Sequence, residues 1–385
     1  MEFVITTATL DDVDELLKLY FEIYGPDYPV RYGTDRTAMT ETLQSESYIW
    51  VVARDLERSK IAGSVVFELD RADKVGKVSA AVVRSLYRGQ KLATRMIGPK
   101  VEEILKSGLV DSMYTTVRTV SVAPQLIFTH ADFLPLGIFP NAHKLAEFET
   151  FTLFAKFKPG VLEKRPAVRT HGKLAPIYAV LNNELVERDL PVASVTFDPP
   201  PPFEIETKTD VQFECVNAPK FVGQLFNKTF ENKYDRFYPF HAPNTLFVST
   251  NGEHSIWCHL SKKDSYCAIV NFGRPIYEQR GILKPLLRRI REQGISYIEV
   301  LIGAQHIKSI EVLIQSQFLP SAIYPAMLTD EARVPRDFVV MSRTIEPLNF
   351  RGMRVASSFK PYMDQYVELW KQMHLDTLEV FNDYE

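Results

Sequence analysis

Val83-Arg84-Ser85-Leu86-Tyr87-Arg88-Gly89-Gln90-Lys91-Leu92-Ala93-Thr94 is the stretch on which the reading of this chain turns. An apolar, strand-like run from Val78 to Val83 leads into it, and a helical spacing of Leu92, Met96, Ile97, Val101, Ile104 and Leu105 leads out. A strand that turns through Arg-Gly into a helix N-terminus leaves backbone N–H groups pointing outward, with the positive end of the helix dipole behind them. Such a turn can cradle a pyrophosphate. Gly89 lets the backbone approach a bulky anion, Arg88 adds a full charge, and the small Ala93 leaves room for the ligand.

The stretch resembles motif A of the GNAT superfamily of acyl-CoA N-acyltransferases, a pattern of the form V-x-P-x-Y-R-G-x-G-x-G/A. Val83, Tyr87, Arg88, Gly89 and Ala93 fall in place, while Ser85 stands at the usual proline and Lys91 at the usual middle glycine. Lys91 puts a side chain into the cradle, and its charge can pair with phosphate. The resemblance implies acetyl-CoA, or another acyl-CoA, as co-substrate. It places that ligand on Val82, Val83, Arg88, Gly89, Gln90, Lys91, Leu92, Ala93 and Thr94. The same residues also read as a plain strand–turn–helix with a surface Arg-Gly turn.

The chain has 385 residues, enough for two domains, with 45% hydrophobic and 24% charged residues, as in ordinary globular proteins. A net charge of −3 argues against a nucleic-acid surface as the main function. The N-terminal Met1-Glu2-Phe3-Val4-Ile5-Thr6 has neither the basic nor the long apolar part of a signal peptide, and no apolar run suits a membrane span. Cys215, Cys258 and Cys267 form no C-x-x-C pair and read as reduced thiols, so a cytoplasmic protein is expected.

Residues 1–157 read as one α/β unit. A short strand at Phe3 to Thr6 precedes a helix with Val13, Leu16, Leu17, Tyr20, Ile23 and Tyr24 on one face. Strands at Ile49 to Ala53 and Ile61 to Leu69, the opening motif, a strand at Ser112 to Val117, a short helix at Pro124 to His130 and a strand at Phe151 to Phe157 follow. This order also resembles the GNAT domain. The second half repeats the first: Phe133-Leu134-Pro135-Leu136-Gly137-Ile138-Phe139-Pro140-Asn141 matches Phe318-Leu319-Pro320-Ser321-Ala322-Ile323-Tyr324-Pro325-Ala326. Ile97-Gly98-Pro99 likewise matches Leu283-Lys284-Pro285.

The expected fold is therefore α+β, a three-layer α/β/α arrangement of two tandem GNAT-like domains, each a mixed, mostly antiparallel sheet flanked by helices. Residues 1–160 form the acyl-CoA-binding domain and 161–205 a helix followed by a linker around Asp198-Pro199-Pro200-Pro201-Pro202. Residues 206–346 form a degenerate second copy, and 347–385 a helical tail carrying Tyr362, Tyr366, Leu369, Trp370 and Met373. Aligned on the paired prolines, Pro275 stands opposite Gly89 and Gln279 opposite Ala93. Pro275 has no N–H to offer, and Gln279 fills the space, so one acyl-CoA site per chain is expected.

In the family, backbone before the cradle, here Val82 and Val83, donates to the thioester carbonyl, and a tyrosine five residues before a phenylalanine protonates the thiolate. Counting back from Phe133 gives Phe128, which has no proton to give. Glu68, Tyr114 and His130 are the candidate bases, with His143 beside His130 at the edge of a 133–141 loop. Tyr24, Tyr28, Arg31 and Tyr32 form the cluster after the first helix where the resemblance implies the acceptor, or else a loop packed on its own rings. His254, Cys258 and His259 do not share one strand face, so no metal site is expected. Three functions remain open: N-acylation, most simply acetylation, of a small amine; non-catalytic binding of acyl-CoA or an assembly role; and acylation of a protein. A homodimer is compatible with the tail helix.

Overall fold

The computed structural model describes every residue except 1, 27, 29, 145–146, 204–210, 233, 235–236, 331, 333 and 376–385. The chain divides into two compact units. Met1–Thr116, Ala123–Leu134 and Phe154–Val161 form the first, and Val117–Val122, Pro135–Leu153 and Leu162–Glu385 the second. Among the described residues no helix is long and apolar enough to cross a membrane.

The first unit runs β1 (Phe3–Thr7), α1 (Val13–Tyr24), α2 (Arg36–Gln44), β2 (Tyr48–Asp55), β3 (Lys60–Asp70), β4 (Val75–Val83), α3 (Leu92–Ser107), β5 (Ser112–Arg118) and α4 (Ala123–Thr129). Its strands lie in the order β1-β2-β3-β4-β5, antiparallel except for the parallel pair β4–β5. Helix α1 starts where Thr9 N–H donates to the Asp12 carboxylate at 2.8 Å. The apolar stripe of α1 buries Leu16, Leu19 and Tyr20 against Trp50, Val52, Val66 and Val82. Each leucine fully buried there stabilises the unit by roughly 2 kcal/mol. On the opposite face Gly63 of β3 comes so close to Met96 of α3 that a β-carbon would lie 3.1 Å from the Met96 methyl. The sheet therefore sits between two helical layers. Helix α2 escaped the sequence reading; the Asp35 side chain starts it by accepting from Ala38 N–H at 2.7 Å.

The second unit begins with β6 (Leu134–Lys144) and the first part of β7 (Phe148–Phe157). It continues through β8 (Val168–His171), α5 (Ala175–Glu187), β9 (Val195–Asp198), β10 (Phe213–Asn217), α6 (Pro219–Thr229), β11 (Thr245–Ser249), β12 (Ser255–Ser261) and β13 (Tyr266–Asn271). Then come α7 (Leu283–Glu292), β14 (Tyr297–Gly303), α8 (Ile307–Gln315), β15 (Leu319–Thr329), β16 (Pro335–Thr344) and α9 (Lys360–His374). Its sheet order is β10-β11-β12-β13-β14-β16-β15 with β6 beside β15, and again one inner pair, β13–β14, is parallel.

Apart from α2, which has no counterpart among the described residues, β10 to β16 follow the same succession of strands and helices as β1 to β7, and the backbone repeats finer details. Lys74 and Ser265, each just before the matching strand, are left-handed at φ 58° and 55°. The Lys74 carbonyl accepts from Asp111 and Ser112 N–H, and the Ser265 carbonyl from Ser296 and Tyr297 N–H. Asp132 and Gln317 (φ 59° and 65°) and Asn141 and Ala326 (φ 56° and 49°) pair in the same way. Left-handed non-glycine residues are uncommon, and here they recur at three matching places in the two successions.

One expectation needs correction: the stretch 133–141, expected as a loop, lies from Leu134 on in β6, as its sequence repeat 318–326 lies in β15. The prolines of β15 survive because its pairing with β16 is irregular between Pro320 and Ala322 and between Tyr324 and Leu328. One parting of the compact units, between Val161 and Leu162, falls beside the expected boundary at 160, while Pro135–Leu153 groups with the second unit, where β6 lies on β15. Gly137 allows that contact, since a β-carbon there would stand 2.2 Å from the Ser321 carbonyl oxygen. Between 161 and 205 the chain holds α5, where a helix was expected, and a strand pair besides, β8 with β9 in parallel from Val168↔Val195 to His171↔Asp198. The two helical prolines also differ. Pro99 lies inside α3, whereas Pro285 is the third residue of α7, where no intrahelical N–H is needed.

Candidate functional site

Strand β4 leaves the sheet through a tight 3₁₀ turn at Ser85–Tyr87. Tyr87 is buried and its hydroxyl donates to the buried Asp55 carboxylate at 2.8 Å, which anchors the turn to the end of β2. Arg88, Gly89, Gln90 and Lys91 then emerge into solvent. Gly89 (φ 82°) and Lys91 (φ 55°) are both left-handed, and Lys91 is the N-cap of α3. The α3 ladder is running by the bond from Arg95 N–H to the Lys91 carbonyl at 3.0 Å, so helix geometry leaves the Leu92, Ala93 and Thr94 N–H groups at its open end. Arg88 and Lys91 have no ion-pair partner among the described residues. Two uncommitted cations and a helix N-terminus thus share one exposed turn, which suits an anion.

The strand leading to this turn is bulged. Ser64 pairs with Val82 and Val66 with Ser79, so Ala80 and Ala81 together face the single Val65. Ala80 is left-handed at φ 49°. The pairing of β4 with β5 covers Val75↔Ser112, Gly76↔Met113 and Lys77↔Tyr114, and beyond it the Thr115 hydroxyl reaches the Val78 carbonyl at 3.0 Å. Past that point the strands share no pair among the described residues. Bulge and splay leave the last part of β4, up to Val82 and Val83, as an open backbone edge beside the cradle.

The register sets the candidate bases. Tyr48, Glu68, Lys77 and Tyr114 stand opposite one another on β2, β3, β4 and β5, so their side chains share one face. That is the α1 face, since Val66, two residues before Glu68, packs there. Glu68 and Tyr114 are thus two strands apart, about 10 Å at the backbone.

The tyrosines after α1 close over the same face. Tyr24 and Tyr28 stack at 4.2 Å with 6° between planes, Tyr20 and Tyr28 at 5.7 Å, and Tyr32 meets Trp50 edge-on at 5.4 Å. The Tyr24 hydroxyl donates to the Ala81 carbonyl at 3.1 Å, and the Tyr32 hydroxyl bonds the Ser79 hydroxyl at 2.9 Å. Burial pushes the Tyr28 hydroxyl up, with Tyr24, Tyr20 and the Glu68 charge adding to it. Tyr32 and Tyr48 rise through burial and then Glu68. These phenols remain neutral, in reach of the Glu68 field.

Other candidates are not brought there. Arg31 is exposed. His130 is exposed at the end of α4, next to Ala131, whose methyl lies 3.8 Å from where a Gly98 β-carbon would stand midway along α3. That is the α3 side of the sheet, away from Glu68. His143 belongs to the second unit, stacked on Tyr266 at 5.2 Å. Phe128 is 5% exposed and packs against Phe133 at 5.2 Å and Phe154 at 5.9 Å. The sequence reading put Tyr20 on the apolar face of α1 but gave it no place in the site, and passed over Trp50, Ser64 and Ser79.

In the second unit the matching turn is filled. Gln279 is buried, its amide donates to the carbonyls of Phe272 (2.7 Å) and Arg274 (2.8 Å), and its oxygen meets His254 Nδ1 at 2.7 Å. Two 3₁₀ turns, Ile276–Glu278 and Arg280–Ile282, replace the first turn of the helix. The row matching Glu68, Lys77 and Tyr114 reads His259, Ala268 and Glu299. Glu299 is buried and accepts from Tyr266 (2.6 Å), Tyr297 (3.0 Å) and Tyr238. Among the described residues no group of His, Cys, Asp and Glu could hold a metal ion.

No family model and no curated protein matches this chain. Solved structures do resemble part of it. An acetyltransferase of the GNAT family from Streptococcus pneumoniae is 19% identical, over 40% of this chain and 99% of that one, with a TM-score of 0.36. The ribosomal-protein-S18-alanine N-acetyltransferase from Escherichia coli is 15% identical over 41% of this chain and 94% of that one, with a TM-score of 0.35. Arabidopsis thaliana NAA60, solved in complex with acetyl-CoA, is 12% identical over 41% of this chain and 100% of that one, with a TM-score of 0.36.

Proposed function

We propose that the first unit is an acyl-CoA-dependent N-acyltransferase, most simply an acetyltransferase, with one active site per chain and a small amine as acceptor. The observation that carries this reading is the contrast between two turns of one backbone plan. Arg88 to Thr94 is open, cationic and at a helix N-terminus, whereas the matching turn is filled by Gln279. The N–H groups of Leu92, Ala93 and Thr94 hold the pyrophosphate with Arg88 and Lys91, and the edge of β4 at Val82 and Val83 holds the thioester end.

The acceptor nitrogen approaches across the Tyr24, Tyr28 and Tyr32 face. Its lone pair forms the C–N bond, the C–S bond breaks, Glu68 takes the amine proton, and water returns one to the CoA thiolate. Glu68 is preferred to Tyr114 because a carboxylate is ionised at neutral pH and a phenol is not, and to His130 because His130 lies on the other side of the sheet.

The test is thiol release from acetyl-CoA in the presence of a panel of small amines, with calorimetry of acetyl-CoA alone. Amine-dependent release that falls about a hundredfold in Glu68→Gln supports the reading. Tight binding without release for any amine supports instead a non-catalytic acyl-CoA-binding module, a reading favoured by the packed Phe128 where an acid would stand.

A further inference from the structure

Outside the cradle, the bulge of β4 is held by a hydrogen-bond chain whose direction is set by its end members. The Trp50 indole N–H can only donate, and it meets the Ser64 hydroxyl oxygen at 2.6 Å. At the other end the Ala80 carbonyl can only accept, and it meets the Tyr20 hydroxyl at 2.8 Å. The remaining contact, Ser64 to Tyr20 at 3.3 Å, is then made by the Ser64 proton on the Tyr20 oxygen. Every link from Trp50 through Ser64 and Tyr20 to Ala80 donates the same way, so each polarises the next. Tyr20 and Ser64 are fully buried and Trp50 nearly so. The chain ends on Ala80, the left-handed residue of the bulge, where a non-glycine backbone needs outside support to persist.

A peptide plane points its carbonyl and the next N–H in opposite directions. Holding the Ala80 carbonyl toward α1 therefore aims the Ala81 N–H to the other side, whereas the Val82 N–H belongs to the ladder pair with Ser64. The second unit has a comparable bulge without this device. Trp257 pairs with Asn271 and Cys258 with Ile269, leaving Val270 as the extra residue, packed against the cluster of Val222, Phe226, Leu246 and Trp257. There the buried Trp257 indole N–H has no acceptor among the described residues. The directed chain accompanies the open cradle, and the copy with the filled turn lacks it.

The geometry points to Tyr20 as a positioning residue for acyl transfer, which fixes, together with Ser64 and Trp50, the direction in which the β4 bulge presents the Ala81 N–H to the thioester carbonyl. This rests on the acyltransferase reading of the first unit. Tyr20 touches no reactant; it acts through the Ala80 peptide. Because the cradle lies beyond the bulge, its loss lowers the rate of the chemical step and leaves acetyl-CoA binding as it was.

The experiment compares wild type, Tyr20→Phe, Ser64→Ala and the double variant in amine-dependent thiol release, with the KM for acetyl-CoA and amide exchange at Ala81. Tyr20→Phe keeps the ring and removes one hydroxyl. Expected are a kcat lowered about tenfold or more, a KM for acetyl-CoA within about twofold, and faster exchange at Ala81. The double variant should be no slower than Tyr20→Phe, since both cut one chain. A kcat within about twofold of wild type in Tyr20→Phe, with only a lowered melting temperature, overturns the proposal, and so does a full rate in Ser64→Ala should Tyr20→Phe not fold. Wild type that neither binds acetyl-CoA nor releases thiol would instead remove the acyltransferase reading itself, and this proposal with it.

Discussion

The Gln279 side chain donates to the carbonyl of Phe272 at 2.7 Å and thereby closes a turn that in the first copy stands open. Acetyl-CoA should accordingly bind once per chain. Gly89→Trp should abolish that binding without unfolding the protein, because a β-carbon at Gly89 meets nothing within 4 Å and so projects into the space the ligand needs. Changes at Gln279 should leave binding untouched. Calorimetry showing two equivalent sites, or unchanged affinity in Gly89→Trp, would contradict this.

Lys91 holds φ 55° without being glycine. Lys91→Gly should raise stability by about 1 kcal/mol by relieving the strained backbone. It should also weaken acetyl-CoA binding severalfold at low salt, because one cation leaves the cradle, and the loss should shrink as salt screens the remaining charge. Thermal melts and titrations at two ionic strengths read both effects.

Restoring a phenol in Phe128→Tyr should not raise the rate. The hydroxyl would enter a space walled by Phe133 and Phe154, and an unsatisfied buried hydroxyl costs about 1–3 kcal/mol. A lower melting temperature with unchanged or reduced turnover is expected. Faster thiol release would mean that the new oxygen reaches the sulfur.

His171 gives the second unit an acid-sensitive bond. It is buried, its Nδ1 accepts from Lys173 N–H at 3.1 Å, and its Nε2–H donates to Glu311 at 2.7 Å. Burial lowers its pKa, and the opposing pull of Glu311 does not restore it. The unfolded chain therefore takes up a proton below about pH 6.5 while the folded chain does not. Stability should fall as pH drops through that value, and His171→Gln should flatten the decline. Melts between pH 5 and 8 that show the same slope in both proteins would refute this.

Much of the first unit was legible because its signals are local. The run from Leu92 to Leu105 has helical spacing, and the observed α3 spans Leu92–Ser107. The segments from Phe133 and Phe318, paired by sequence alone, run into β6 and β15. Helix α2 was not legible, because its start rests on the single Asp35 cap and its apolar stripe is short. Strand β6 was misread as a loop because proline, here Pro135 and Pro140, argues against a strand.

For the candidate site, the sequence alone determined the turn from Val83 to Thr94 and the filled character of its counterpart, since proline, glycine and glutamine act through their own backbone and bulk. Tertiary structure decided which distant groups share a face. Register across four strands put Glu68 and Tyr114 in one row and left His130 on the other side of the sheet. It also joined Trp50, Ser64 and Tyr20, from two strands and a helix, to the Ala80 carbonyl. No local pattern encodes such a chain, because its links are set by strand pairing and by which side chains the core excludes from water.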